Sequence, residues 1–74
     1  MNGEVLVHLN VNGEDRRLPD GATVATIMEL LDVAPGARGV AVALDGEVVA
    51  RGRWNDTRLA EGARIEVVAA IQGG

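Results

Sequence analysis

The sequence has no cysteine, serine, lysine, tyrosine or phenylalanine, and His8 is its only imidazole. Without cysteine, disulfide bonds and thiolate metal sites are excluded, so burial of apolar side chains must hold a chain of 74 residues together. Because cysteine, serine, lysine and tyrosine are all absent, most side chains that perform covalent or proton-transfer chemistry are missing from this sequence. A hydrolytic triad would need a nucleophile beside His8, and a metal site would need carboxylates around it. The composition argues against an enzyme, and we expect no metal site.

The charge and the aromatic content argue against nucleic acid as a ligand. The net charge is -4, the seven arginines are scattered, and Trp54 is the only aromatic side chain that could stack on a base. No stretch approaches the roughly 20 apolar residues of a membrane-spanning helix, and residues 1–10 lack the basic start of a secretory leader. We therefore expect one cytoplasmic domain over residues 1–74, with proteins as its partners and no membrane contact.

Residues 4–11 alternate with the two-residue period of a half-buried strand. The predicted core-facing positions are Val5, Val7, Leu9 and Val11, and the opposite face carries Leu6, His8 and Asn10. The dipeptide Asn12-Gly13 tolerates the positive φ angles of a type I′ turn. It predicts that residues 14–18 return beside the first strand.

A helix is predicted to begin after Thr23, where the apolar period changes to three and four residues. Its apolar stripe consists of Val24, Ile27, Met28 and Leu31. Thr23 is the predicted N-cap, because its hydroxyl can accept a bond from an unpaired amide of the first turn. The helix should end near Asp32 or Val33, since Pro35 pushes the residue before it out of helical geometry. Packing of the stripe onto a sheet must stabilise so short a helix.

The rest of the chain predicts a second hairpin and a last strand. Asp45-Gly46 separates strands at residues 40–44 and 47–50, and residues 64–70 alternate again. The resulting order, two strands, a helix, two strands and a final strand, favours a β-grasp. This is an α+β fold in which one helix packs across one face of a mixed five-stranded sheet. The first and last strands then pair in parallel at the middle of the sheet, which explains their richness in branched apolar residues.

The sequence closes with Ile71-Gln72-Gly73-Gly74, and we expect residues 71–74 to form a flexible tail. Because glycine has no Cβ, Gly73 and Gly74 could follow Gln72 through a narrow channel and place a carboxylate inside another protein. A carboxylate is a poor electrophile and must be activated, most simply as an acyl-adenylate. The chain has no phosphate-binding loop with a lysine, so a partner would have to use the ATP. The dipeptide alone is equally compatible with a frayed terminus.

Residues along essentially the whole chain resemble a known family. The resemblance rests on residues 40–54, Leu59, Gly62, residues 64–68 and the Gly73-Gly74 end, together with Asn12-Gly13, Thr23-Val24 and Leu30-Leu31. Combined in this order, they resemble the ThiS family of sulfur carriers of thiamine biosynthesis. Two residues depart from the family pattern: Asp45 stands where asparagine is usual, and Ala50 where proline is frequent. Both are compatible with a surface hairpin.

The resemblance implies a ubiquitin-like β-grasp protein that is a cosubstrate and catalyses nothing. Its Gly74 carboxylate would be adenylated by a ubiquitin-activating-type enzyme, ThiF, with ATP and Mg²⁺, and then converted to a thiocarboxylate with sulfur from a donor system. Thiazole synthase, ThiG, would receive the sulfur. On this reading the chain itself binds no cofactor, because ATP and Mg²⁺ belong to the activating partner.

Two groups of side chains are predicted to meet these partners. Off-parity residues of neighbouring central strands share a face, so we expect Leu6, His8, Val68 and Ala70 to form one docking patch beside the tail. Arg51 and Arg53 could pair with acidic groups of a partner. Trp54, between them and the last strand, is expected to pack against the edge of the core.

Three other functions fit the same pattern. The small subunit of molybdopterin synthase and other sulfur carriers share the fold and the Gly-Gly end. A plain β-grasp interaction module would use its open sheet face, and removing Gly74 would then do no harm. A protein-tagging modifier would form isopeptide bonds with lysines of other proteins.

Overall fold

The structure, a computed structural model, describes residues 5–34 and 36–69. Its elements are β1 (Leu6–Val11), β2 (Glu14–Pro19), α1 (Val24–Leu30), β3 (Val40–Leu44), β4 (Glu47–Val48), a 3-10 turn (Arg51–Arg53) and β5 (Arg64–Ala69). The strands form one sheet in the order β2-β1-β5-β3-β4. The pair β1–β5 is parallel and the other pairs are antiparallel. The predicted β-grasp, with one helix and a mixed five-stranded sheet, is confirmed.

Both predicted hairpins have two-residue turns with positive φ at each central residue. The φ angles are 52° at Asn12 and 87° at Gly13, and 50° at Asp45 and 89° at Gly46. These values are those of a type I′ turn, whose twist matches that of the strands it joins. β4 is shorter than the predicted residues 47–50. The chain leaves the sheet there and enters the 3-10 turn that precedes the buried Trp54.

The helix begins as predicted and ends earlier. Thr23 is the N-cap, and its side chain and that of Thr26 each accept the other's backbone N–H, at 3.4 Å and 3.0 Å. The helix ends at Leu30 because Asp32 adopts a left-handed conformation with φ of 59°. Val33 then donates its N–H to the carbonyl of Met28 at 2.9 Å, which satisfies the end of the helix. The sequence predicts an end near Asp32 or Val33 from Pro35 and from the glycines Gly36 and Gly39, and it does not take the left-handed Asp32 into account.

The core lies between the helix and one face of the sheet. Its least exposed side chains are Leu9, Val11, Val24, Ile27, Met28, Val42, Leu59 and Ile65. Trp54 is buried as predicted, with 6% of its surface exposed, and its indole N–H donates to the carbonyl of Val49 at 3.0 Å. Within the described residues, no helix combines the length and the apolar character needed to cross a membrane.

Two predicted core positions are wrong or only partly right. Val5 is 67% exposed because it precedes β1, beyond the part of the sheet that the helix covers. Leu31 is only partly buried, since it caps the helix and lies at the margin of the core.

Candidate functional site

The tail follows β5, the middle strand of the sheet. β5 pairs with β1 on one side and with β3 on the other. Residues 70–74 lie outside the described residues, so the roles assigned to Ala70, Gln72, Gly73 and Gly74 stay predictions. The described structure does define how the strand that leads to them is held.

Each hairpin turn holds β5 through the side chain of its first residue. Asn12 donates its N–H to the carbonyl of Ile65 at 2.9 Å, and its Oδ1 accepts the N–H of Val67 at 2.8 Å. Asp45 does the same at the other end of the strand: its N–H donates to the carbonyl of Arg64 at 2.8 Å, and its Oδ1 accepts the N–H of Arg64 at 2.9 Å. The strand before the tail is thus fixed from both neighbours. Sequence reasoning recognised both turns and missed these bonds.

The predicted docking patch of Leu6, His8, Val68 and Ala70 is not one patch in the structure. Asn10 of β1 lies opposite Arg64 of β5, so Leu6 is four residues before this level and Val68 four residues after it. At about 3.3 Å per residue the two side chains are about 26 Å apart along the strands. They share the open face of the sheet at opposite ends. The sequence predicted correctly that Leu6 and Val68 lie on the same face of the sheet. That prediction did not take into account the register of β1 against β5, which separates them.

Val68 instead belongs to an apolar cluster toward the β4 edge of the open face. It is 63% exposed and lies opposite Ala41 of β3, while Val48 of β4 is 78% exposed and lies opposite Ala43. We call these four residues the valine patch. Sequence reasoning missed Ala41, Ala43 and Val48. The two-residue turn at Asp45-Gly46 could have found them, because it fixes which residues of the hairpin face each other.

His8 lies beside Glu61 in the turn that precedes β5. Its backbone N–H donates to Glu61 Oε1 at 2.8 Å, and its Nδ1 is 3.1 Å from Glu61 Oε2. The bond from the backbone N–H of His8 is the main cause that lowers the pKa of Glu61 below its ordinary value of 4.5. Both side chains are 63% exposed, so the pair ties the turn to β1 without forming a pocket.

Arg51 and Arg53 lie on the 3-10 turn, and Arg51 is on the helix side of the sheet. Its guanidinium carbon is 4.6 Å from the centre of the Trp54 ring, a cation–π geometry, and it donates to the carbonyl of Ala37. Arg51 also lines a groove with Met28 and Glu29 of the helix. It therefore has contacts within this chain and lies on a different surface from Val68. A partner role for either arginine stays a prediction, as it does for Leu6, His8 and Val68.

The described residues contain no group of three or more His, Asp or Glu side chains arranged to hold a metal ion. A shallow depression on the open face is lined by Asn10, Asn12, Gly13, Arg64, Glu66 and Val68. It carries both an arginine and a carboxylate and no nucleophile. The described part of the chain thus offers contact surfaces, and the assignment of chemistry to the terminal carboxylate stays a prediction from the sequence.

Comparison with known proteins gives one family and a consistent set of structures. The model of the ThiS family matches residues 9–74. The crystal structure of the thiamine biosynthesis protein (ThiS) from Geobacter metallireducens is similar with a TM-score of 0.73 and 30% identity, covering 92% of this chain and 100% of that one. An NMR solution structure of a thiamine biosynthesis protein from the same organism has a TM-score of 0.69 and 34% identity, covering 92% and 88% of the two chains. A comparison with curated protein sequences gives no match.

Proposed function

The chain belongs to the ThiS family, and from this premise we propose that it is a sulfur carrier whose working group is the carboxylate of Gly74. The observation that carries the proposal is that the family match runs through residue 74 and so includes the Gly73-Gly74 pair. The amino-acid composition supports it, because a chain without cysteine, serine or lysine has little else with which to do covalent chemistry.

The proposed chemistry has three steps, all carried out by partners. A carboxylate oxygen of Gly74 attacks the α-phosphorus of ATP on a ThiF-like enzyme that holds Mg²⁺, and pyrophosphate leaves. Sulfide-level sulfur from a donor system then attacks the acyl carbon, the bond from that carbon to the AMP oxygen breaks, AMP leaves, and a thiocarboxylate remains. On ThiG, the thiazole synthase, the sulfur passes to that enzyme's substrate: the bond between the Gly74 carbon and sulfur breaks, an oxygen from water or from the substrate replaces the sulfur, and the carboxylate is restored. The chain is changed and restored, and it is not the catalyst.

We place the docking of the activating enzyme on the valine patch. The patch is apolar and largely exposed, and it includes Val68, three residues before the tail begins at Ile71. Exposed apolar clusters with polar rims are typical of protein contact surfaces. Glu66, which lies opposite Ala43, and Arg64 supply charged neighbours that can orient a partner without adding much affinity.

Intact mass spectrometry tests the proposal. The purified protein is incubated with ATP, Mg²⁺, the adenylating enzyme and a sulfur source. The expected product has one oxygen replaced by sulfur, and fragmentation places the exchange at Gly74. A variant that carries one additional residue after Gly74 is the matched control, and it should stay unmodified. Sulfur exchange in that variant, or none in the wild type, would contradict the proposal.

The pathway is tested separately. The thiocarboxylated protein is offered to thiazole synthase and to the large subunit of molybdopterin synthase, and the loss of sulfur from Gly74 is followed by mass. Sulfur loss to thiazole synthase supports the assignment. Transfer only to the molybdopterin enzyme would support the sulfur-carrier chemistry at Gly74 and contradict the assignment to thiazole synthesis. Isopeptide conjugates on other proteins would indicate a modifier.

A further inference from the structure

The side chain of Asn12 continues the parallel pairing of β1 and β5 beyond the end of β1. Asn10 donates its N–H to the carbonyl of Ala63 at 2.9 Å, and Asn12 donates to Ile65, two residues on, also at 2.9 Å. If the ladder continued, the carbonyl of residue 12 would accept the N–H of Val67. The chain turns away at this point. Asn12 Oδ1 accepts that bond instead, at 2.8 Å.

The hydrogen bond from Val67 to Asn12 lies where β5 extends beyond the end of β1. In the described structure, Val68 and Ala69 are paired with β3 alone, opposite Ala41 and Val40. The bond from Val67 to Asn12 therefore fixes the β1 side of the strand just before the tail. The five residues from 70 to 74 can span at most about 17 Å. Because a tether this short restricts where its end can go, the direction of the strand end governs what Gly74 can reach.

We infer that Asn12 is a positioning residue, which directs the tail of the bound carrier into the active site of the adenylating enzyme. The inference rests on the proposed function. Asn12 acts through the N–H of Val67 and touches no reacting atom. It serves the delivery of the carboxylate, whereas the valine patch serves docking.

Three variants distinguish the effect of the hydrogen bond between Val67 and Asn12 from the effect of the Asn12-Gly13 turn. Asn12→Gly keeps the hairpin, because Gly-Gly suits a type I′ turn, and removes only the side-chain acceptor. Asn12→Asp keeps both the turn and an acceptor oxygen. Asp45→Gly is the matched control, because it removes the equivalent bond to Arg64 at the start of β5, away from the tail.

Two measurements are made on the intact proteins. Amide hydrogen exchange by NMR should show Val67 exchanging roughly five- to tenfold faster in Asn12→Gly, the ratio that corresponds to one hydrogen bond. In steady-state adenylation with the cognate enzyme, the same variant should lose roughly three- to tenfold in kcat while its KM changes less than about twofold. Asn12→Asp should restore kcat. Asp45→Gly should accelerate exchange at Arg64 and leave kcat unchanged.

The possible outcomes separate a failure of this inference from a failure of the proposed function on which it rests. Adenylation of the wild type and of Asn12→Gly with equal kcat would overturn the inference and leave the proposed function intact. A fall in kcat of the same size in Asp45→Gly would also overturn it, because general loosening of β5 would then be the cause. If the wild type is not adenylated at all, the proposed function fails and the inference fails with it.

Discussion

Asp32 supplies the left-handed residue that ends the helix, with φ of 59°. Glycine is the usual residue at this position, because it has no Cβ to oppose that conformation, and an acidic group is unfavourable near a helix C-terminus. We expect Asp32→Gly to raise the free energy of unfolding by about 0.5–1 kcal/mol, measured by urea denaturation. Asp32→Ala is the control. It also removes the carboxylate but retains the Cβ, so a gain of equal size there would show that charge alone is responsible.

Glu61 links stability to pH through its contact with His8. Its pKa is lowered from 4.5 in the folded protein, so its contribution is present above that value and is lost as the pH falls through the lowered folded value. We expect wild type to be more stable than Glu61→Gln at neutral pH, with the difference shrinking as the pH falls below 4.5 and through the lowered folded pKa of Glu61. Urea denaturation at neutral pH and at a series of acidic pH values measures this. A difference that does not change with pH would mean that the charge of Glu61 is irrelevant.

At the scale of elements, the register of β1 against β5 separates two residues that the sequence grouped together. Val68 lies in the valine patch near the tail, and Leu6 lies on the same face at the far end of β1. We expect Val68→Asp to raise the KM for adenylation at least tenfold, since a charge replaces exposed apolar surface at the proposed contact. Leu6→Asp is the matched control and should leave KM unchanged. Equal effects of the two variants would place docking elsewhere.

Over the whole molecule, the parts that maintain the fold and the part proposed to do the chemistry are separate. The buried side chains that form the core lie between Val7 and Ile65. We expect deletion of Gly73-Gly74 to leave the urea midpoint unchanged and to abolish sulfur loading. By contrast, Ile27→Val, within the core, should cost about 0.5–1.5 kcal/mol of stability and leave the loading of the folded protein intact. Loading by the deleted chain, or its unfolding, would contradict this separation.

The sequence by itself determined the features that depend on neighbours a few residues apart. Asn12-Gly13 and Asp45-Gly46 specify turns by their own backbone preferences, Thr23 caps the helix through Thr26, and the apolar periods identify the core faces. The element order then sufficed for the fold, and the Gly-Gly end with the family resemblance sufficed for the proposed working group.

Only the tertiary structure decided how β1 and β5 are aligned. Their register separates Leu6 from Val68 and brings Asn12 to Val67, 55 positions away in the chain. No local preference fixes such a register, because shifting two parallel strands by two residues keeps every side chain on its face. The choice between these alignments is made by the packing of the helix, Trp54 and the whole core at once, and that information is distributed over the entire chain.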